Sequence, residues 1–206
     1  TFDSGNARII EGYVRLFRNR RFISLNLAMA IMALPLFAFI ASSSNIYISG
    51  FKLSEQAFGY FFAFNAVALM CGALSFTRLS HHVASDRLMT FGFVGILAAG
   101  TWLTAGSHAG PWSLALPMGA MGFFYGLSRP PSNNLILEQI DRDSGTASSL
   151  IVFSFMMLGA LSMWIISLNW ADKITAIGVM SLISGGATLS FWLLFKRAFV
   201  PGSQNP

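Results

Sequence analysis

Apolar residues run through this chain in six long blocks, each closed by a short polar or basic stretch. The blocks cover about Phe22–Ile48, Glu55–Phe76, Leu88–Ser107, Pro111–Arg129, Thr146–Leu168 and Ile174–Phe195. A hydrocarbon core about 30 Å thick takes roughly 20 residues of α-helix to cross, and each block is about that length. Lipid-spanning strands would read as alternating segments of about ten residues. These blocks are longer and apolar at both parities. The pattern predicts an all-α integral membrane fold: a six-helix transmembrane bundle over residues 22–195. Residues 1–21 read as a cytoplasmic linker following something upstream, and residues 196–206 as a cytoplasmic tail. No cleavable signal sequence is recognisable in the polar, basic lead-in.

Basic residues fix the orientation, because cytoplasmic loops of membrane proteins carry an excess of Lys and Arg. Of the 13 Lys and Arg, only Lys52 and Lys173 fall on one side of the predicted bundle. Arg8, Arg15, Arg18, Arg20, Arg21, Arg78, Arg87, Arg129, Arg142, Lys196 and Arg197 fall on the other. Both termini are therefore expected in the cytoplasm, as an even number of crossings also requires. The connections at about residues 77–87 and 130–145 are then cytoplasmic, and the outer ones are short. No outer receptor domain is predicted. The halves 22–107 and 111–195 show no clear sequence repeat. A three-plus-three arrangement still fits their lengths, as in transporters built from inverted repeats.

Composition narrows the function. The chain is 54% hydrophobic and 10% charged, against about 25% charged residues in soluble domains. A soluble enzyme, a disulfide scaffold and a disordered tail are excluded. The net charge of +5 does not point to nucleic acid, since the basic residues punctuate apolar runs and do not gather on one face. The one cysteine, Cys71, reads as a small buried residue. His81 and His82 lie in a loop without partners at metal-ligand spacing, so neither a metal nor a cofactor is expected.

Inside the spans there is no Asp, Glu, Lys, Arg or His at mid-depth. Ionisable groups there usually mark ion or proton routes, so this chain shows no side chain of its own to carry a proton. Protease and esterase signatures are also missing, and no enzyme is predicted. Neutral polar residues remain: Asn26, Ser43, Asn45, Tyr60, Asn65, Tyr125 and Ser128. Polar groups in lipid must face a neighbouring helix or a water-filled cavity, so these residues are either interhelical links or the lining of a substrate pathway. Gly119, Gly122 and Gly126 give the fourth helix one small face, a close contact or a sliding seam. Arg129-Pro130-Pro131 is expected to interrupt that helix. Arg129 is then either a snorkelling anchor or a cytoplasmic gate, and Pro35 marks a possible gating bend in the first helix.

Three stretches resemble the carboxy-terminal half of a Bcr/CflA-type drug resistance transporter, a branch of the major facilitator superfamily. They are Arg15-Leu16-Phe17-Arg18-Asn19-Arg20-Arg21-Phe22, the run Ser54 to Asn65 with its Phe58-Gly59, and Gly145-Thr146-Ala147-Ser148-Ser149-Leu150. The resemblance implies two six-helix bundles around a cavity and proton-driven export of drug-like compounds. On matching positions, the first, second, fourth and fifth helices would face the cavity, and the third and sixth lipid. The implied partners are a small-molecule substrate, the lipid bilayer of a bacterial inner membrane, and an amino-terminal six-helix bundle. That bundle would be the rest of the same polypeptide, a separate subunit or a second copy. The competing expectation is a non-transporting membrane scaffold that binds partners through its helix faces.

Overall fold

The computed structural model describes residues 11–106, 110–140 and 144–199, without the side chain of Ala198. Arg8, Arg142, Ser107–Ala109 and the tail beyond Phe199, all used in the reading above, lie outside the described residues. The helices are α1 (Arg20–Ala30), α2 (Ala33–Ser44), α3 (Glu55–Leu79), α4 (Ser85–Ala105), α5 (Pro111–Leu137), α6 (Ser144–Ser167) and α7 (Lys173–Phe199). Together α1, α2 and a π-helical end at Asn45–Gly50 make the first span.

That first span is broken because Pro35 has no N–H for the Ile31 carbonyl, and its ring crowds that oxygen. The helix stops at Ala30 and resumes at Ala33, and the Leu34 N–H donates to Ile31 O at 3.1 Å. Neighbouring helices hold both sides of the break. Thr188 Oγ1 donates to Ala28 O at 2.9 Å, and Ser162 Oγ donates to Leu34 O. Hydroxyls placed this way satisfy backbone groups that a bent helix would otherwise leave bare in lipid.

The expected interruption at Arg129-Pro130-Pro131 does not occur: α5 runs on through both prolines to Leu137. The missing donors orphan the carbonyls of Gly126 and Leu127, but packing beyond them outweighs that cost. Pro131, Ser132, Leu135 and Ile136 are all buried, and Ser132 Oγ donates to Ser128 O at 2.7 Å. The connection after the fourth span is accordingly shorter than predicted. Residues 11–18 are helical, Leu16 joins the core, and Asn19 accepts from Phe22 N while donating to Gln139 O at 2.9 Å. Cys71, expected to be buried, is exposed on α3.

Five of the described helices are long and apolar enough to cross a membrane: the first span, α3, α4, α6 and α7. With its 27 residues α5 matches them in length, but Pro, Gly, Ser and Tyr dilute its apolar character. It can afford this because it runs beside α3 and α4 with much of its surface covered.

Packing follows a three-plus-three scheme. The first triplet is the first span, α3 and α4; the second is α5, α6 and α7. α3 packs along α5 as α6 packs along α2, α4 packs on α5 as α7 packs on α2, and α4 and α7 pack on each other. Three crossings are an odd number, so the second triplet enters from the opposite face, which makes the repeat inverted.

Candidate functional site

Close helix crossings shape the site. At the α3–α5 crossing, a Cβ on Gly72 would lie 1.9 Å from Phe123 O, and one on Gly126 would lie 2.1 Å from Leu69 O. Only glycine lets the two backbones meet there. One turn on, a Cβ on Gly122 would lie 3.4 Å from Asn65 O, and the Pro35 break in the first span lies alongside. Between them is a cavity of about 190 Å³. Met32, Pro35, Leu36, Phe39 and Ile40 line it from the first span, and Phe62, Asn65, Ala66 and Leu69 from α3. Ile96 of α4 and Met118, Met121, Gly122 and Tyr125 of α5 complete the lining.

Aromatic clusters adjoin residues of this lining. Tyr47 stacks on Phe61, next in the chain to Phe62, with ring centroids 5.2 Å apart, and Phe61 meets Trp112 edge-on at 5.0 Å. Phe155 of α6 stacks on Tyr125 at 6.2 Å and meets Phe37 edge-on at 5.3 Å. The Arg129 guanidinium sits 4.3 Å above the same Phe155 ring. Rings paired in this way gain attraction beyond the area they bury.

Polarity within the cavity is confined to Asn65 and Tyr125. Asn65 is 9% exposed, and its Nδ2 donates to Phe61 O at 2.9 Å. Its Oδ1 is buried and has no hydrogen-bond partner among the described residues.

Of the residues singled out from the sequence, Pro35, Asn65, Gly122 and Tyr125 come together in this cavity. The others do not. Asn26 is buried and donates to Ser154 Oγ of α6 at 2.8 Å, an interhelical link. Ser43 is buried and bonds back to Ile40 O within its own helix. Ser128 bonds to Phe124 O and packs where a Cβ on Gly92 of α4 would touch it. Gly126 lies at the helix crossing and Arg129 on Phe155. Tyr60 is 68% exposed and accepts from Gln56 Nε2. Asn45 lines a separate recess beside Trp170 and Asp172. Sequence reasoning missed the apolar lining, because Met32, Phe39, Phe62, Met118 and Met121 have the same composition as lipid-facing positions. The one available signal was the pair Met118 and Met121 flanking the glycine stripe.

Comparison with known proteins decides the family. The family description "Major Facilitator Superfamily" matches residues 2–163. The chain belongs to this superfamily. The multidrug transporter MdfA of Yersinia pestis (strain Angola) is 30% identical over 197 residues, covering 93% of this chain and 48% of that protein. MdfA of Escherichia coli O157:H7 is 28% identical over 198 residues, with 94% and 48% covered. The bicyclomycin resistance protein homolog of Haemophilus influenzae is 27% identical over 158 residues, with 74% and 39% covered. The chain thus spans about half the length of the curated relatives it matches. It is an integral membrane protein of a transporter superfamily, built as one six-helix bundle of that fold.

Proposed function

We propose that this chain is the carboxy-terminal half of a secondary active transporter that exports drug-like small molecules in exchange for protons across a bacterial inner membrane. Both termini face the cytoplasm, and a second six-helix bundle supplies the opposite wall of the pathway. The observation that carries this reading is the apolar, aromatic cavity at mid-depth, lined by the first span, α3, α4 and α5. Such a lining suits lipophilic guests, since aromatic and Met side chains adapt their shape to differing molecules. The similarity to multidrug transporters points the same way. Because no ionisable residue falls at mid-depth here, the proton-carrying acid belongs to the other bundle. Pro35, Gly122, Asn65 and Tyr125 are part of the cavity wall, and Arg129, on Phe155 one turn from Tyr125, is the proposed gate.

Everted membrane vesicles test the proposal. With this chain joined to an amino-terminal bundle, adding a lipophilic dye should discharge an imposed pH gradient as dye and proton exchange. A scaffold would leave the gradient untouched at every dye concentration.

A further inference from the structure

Where α6 gives way to α7, two recesses share the walls Trp170, Ala171 and Asp172. One is an apolar groove of about 500 Å³. Leu34 lines it from the first span, Ile165 from α6, and Ala176, Val179, Met180 and Ile183 from one stripe of α7. Trp170, Val179 and Ile183 are exposed, so the groove lies open at the surface of the bundle. From Thr175 to Ile183 the helix rises about 12 Å. That is close to the depth of one leaflet, half of a hydrocarbon core about 30 Å thick.

The second recess, of about 530 Å³, is polar. Asn45 and Ser49 line it from the π-helical end of the first span, and Asp172 and Lys173 from the start of α7. Hydrogen bonds fix the shared walls. Trp170 Nε1 donates to Ile165 O at 2.8 Å, and Asp172 accepts from Ile174 N at 2.9 Å and from Thr175 Oγ1 at 2.6 Å.

We infer that these two recesses hold one phospholipid, an acyl chain in the groove and a zwitterionic, primary-amine headgroup in the polar recess. The charges in the lining decide the headgroup. Lys173 offers ammonium donors to a phosphate, and Asp172 is a carboxylate with about four acceptor sites for an amine N–H. One charge of each sign matches a headgroup carrying both, whereas an anionic lipid would set its phosphate beside Asp172 without an amine to offset it. A quaternary amine has no N–H to give. Trp170, apolar in its ring and polar at its N–H, stands where chain and headgroup meet, as tryptophan does at membrane interfaces. This site shares no lining residue with the central cavity, and it does not depend on transport.

The experiment titrates phosphatidylethanolamine, carrying a diazirine on one acyl chain, into the purified chain joined to an amino-terminal bundle in detergent. Labelled peptides are read by mass spectrometry. Labelling of residues 176–183 should saturate while labelling at Trp102, exposed on α4, still rises in proportion to the probe. Ala171→Trp plugs the shared wall and Val179→Trp the groove, and either should bring labelling down to the level at Trp102. Lys173→Gln should lower it about two- to fivefold, as for an exposed ion pair. Unlabelled phosphatidylglycerol should compete about fivefold more weakly than unlabelled phosphatidylethanolamine. Labelling of the groove that never saturates, or that all three variants leave unchanged, would overturn the site. Equal competition by the two lipids would overturn the headgroup assignment.

Discussion

At Arg129 the guanidinium lies over the Phe155 ring, and that ring also stacks on Tyr125 one turn away on the same helix as the arginine. A cation over an aromatic face contributes about 0.5–1 kcal/mol when exposed and about 2 kcal/mol when desolvated. The contact ties α5 to α6 one turn from Tyr125 of the cavity lining, where the proposed gate would act. Arg129→Gln and Phe155→Leu should each lower turnover, and the double variant should fall short of additivity by about 1 kcal/mol. A double-mutant cycle on dye efflux measures this. Strict additivity would return Arg129 to the role of a headgroup anchor. The neutral polar residues show how far the sequence could be read at this scale. It singled out seven neutral polar residues but not Ser162 or Thr188, which hold the Pro35 break, because a hydroxyl facing lipid, a helix or a cavity has the same one-letter code. Asn26 and Asn65 are chemically identical, yet one meets Ser154 of α6 and the other bonds back to Phe61 O in its own helix. Which helix packs alongside separates them.

Among the elements, the α3–α5 crossing is the tightest place in the bundle. Gly72→Ala and Gly126→Ala would each drive a methyl into opposing backbone that has no rotamer to yield. Overpacking of this kind costs about 1–3 kcal/mol, so both variants should unfold at lower denaturant in detergent. Gly59→Ala, with open space around the added carbon, should leave stability unchanged or raise it by up to about 1 kcal/mol. Equal behaviour of all three would mean that the crossing is looser than described. The first span carries the second prediction. Pro35→Ala restores the donor to Ile31 O, so the bundle should become more stable by about 1 kcal/mol or more while dye turnover falls. Thermal unfolding and efflux, measured on one preparation, check both halves of that statement. The glycine face was legible from spacing, and so was the proline bend. The run through Pro130 and Pro131 was not, because two helix-breaking residues argue locally for a stop. Packing of Leu135 and Ile136 into the core decides otherwise, and no local signal encodes it.

For the whole molecule, the inverted three-plus-three scheme leaves two spans thinly covered. α3 and α6 bury the least of their length, and they expose Val67, Met70, Leu74, Val152, Phe153 and Trp164. In the proposed transporter these faces meet the second bundle. The six blocks and their order were legible because a 30 Å slab sets one length for every crossing. The pairing of helices was not legible, since near-uniform apolarity gives each helix no marked face. Topology can be checked directly. In a Cys71→Ser background, cysteines placed at Ser80 and Ser54 should react with an impermeant thiol reagent from opposite sides of the membrane. The central claim is that this bundle is one wall of a passage, and uphill transport in proteoliposomes tests it most directly. Vesicles holding this chain alone, the amino-terminal bundle alone, or the two joined should accumulate ethidium against its gradient only in the joined case, and only with a pH gradient imposed. Accumulation by this chain alone, or none by the joined pair, would contradict the account.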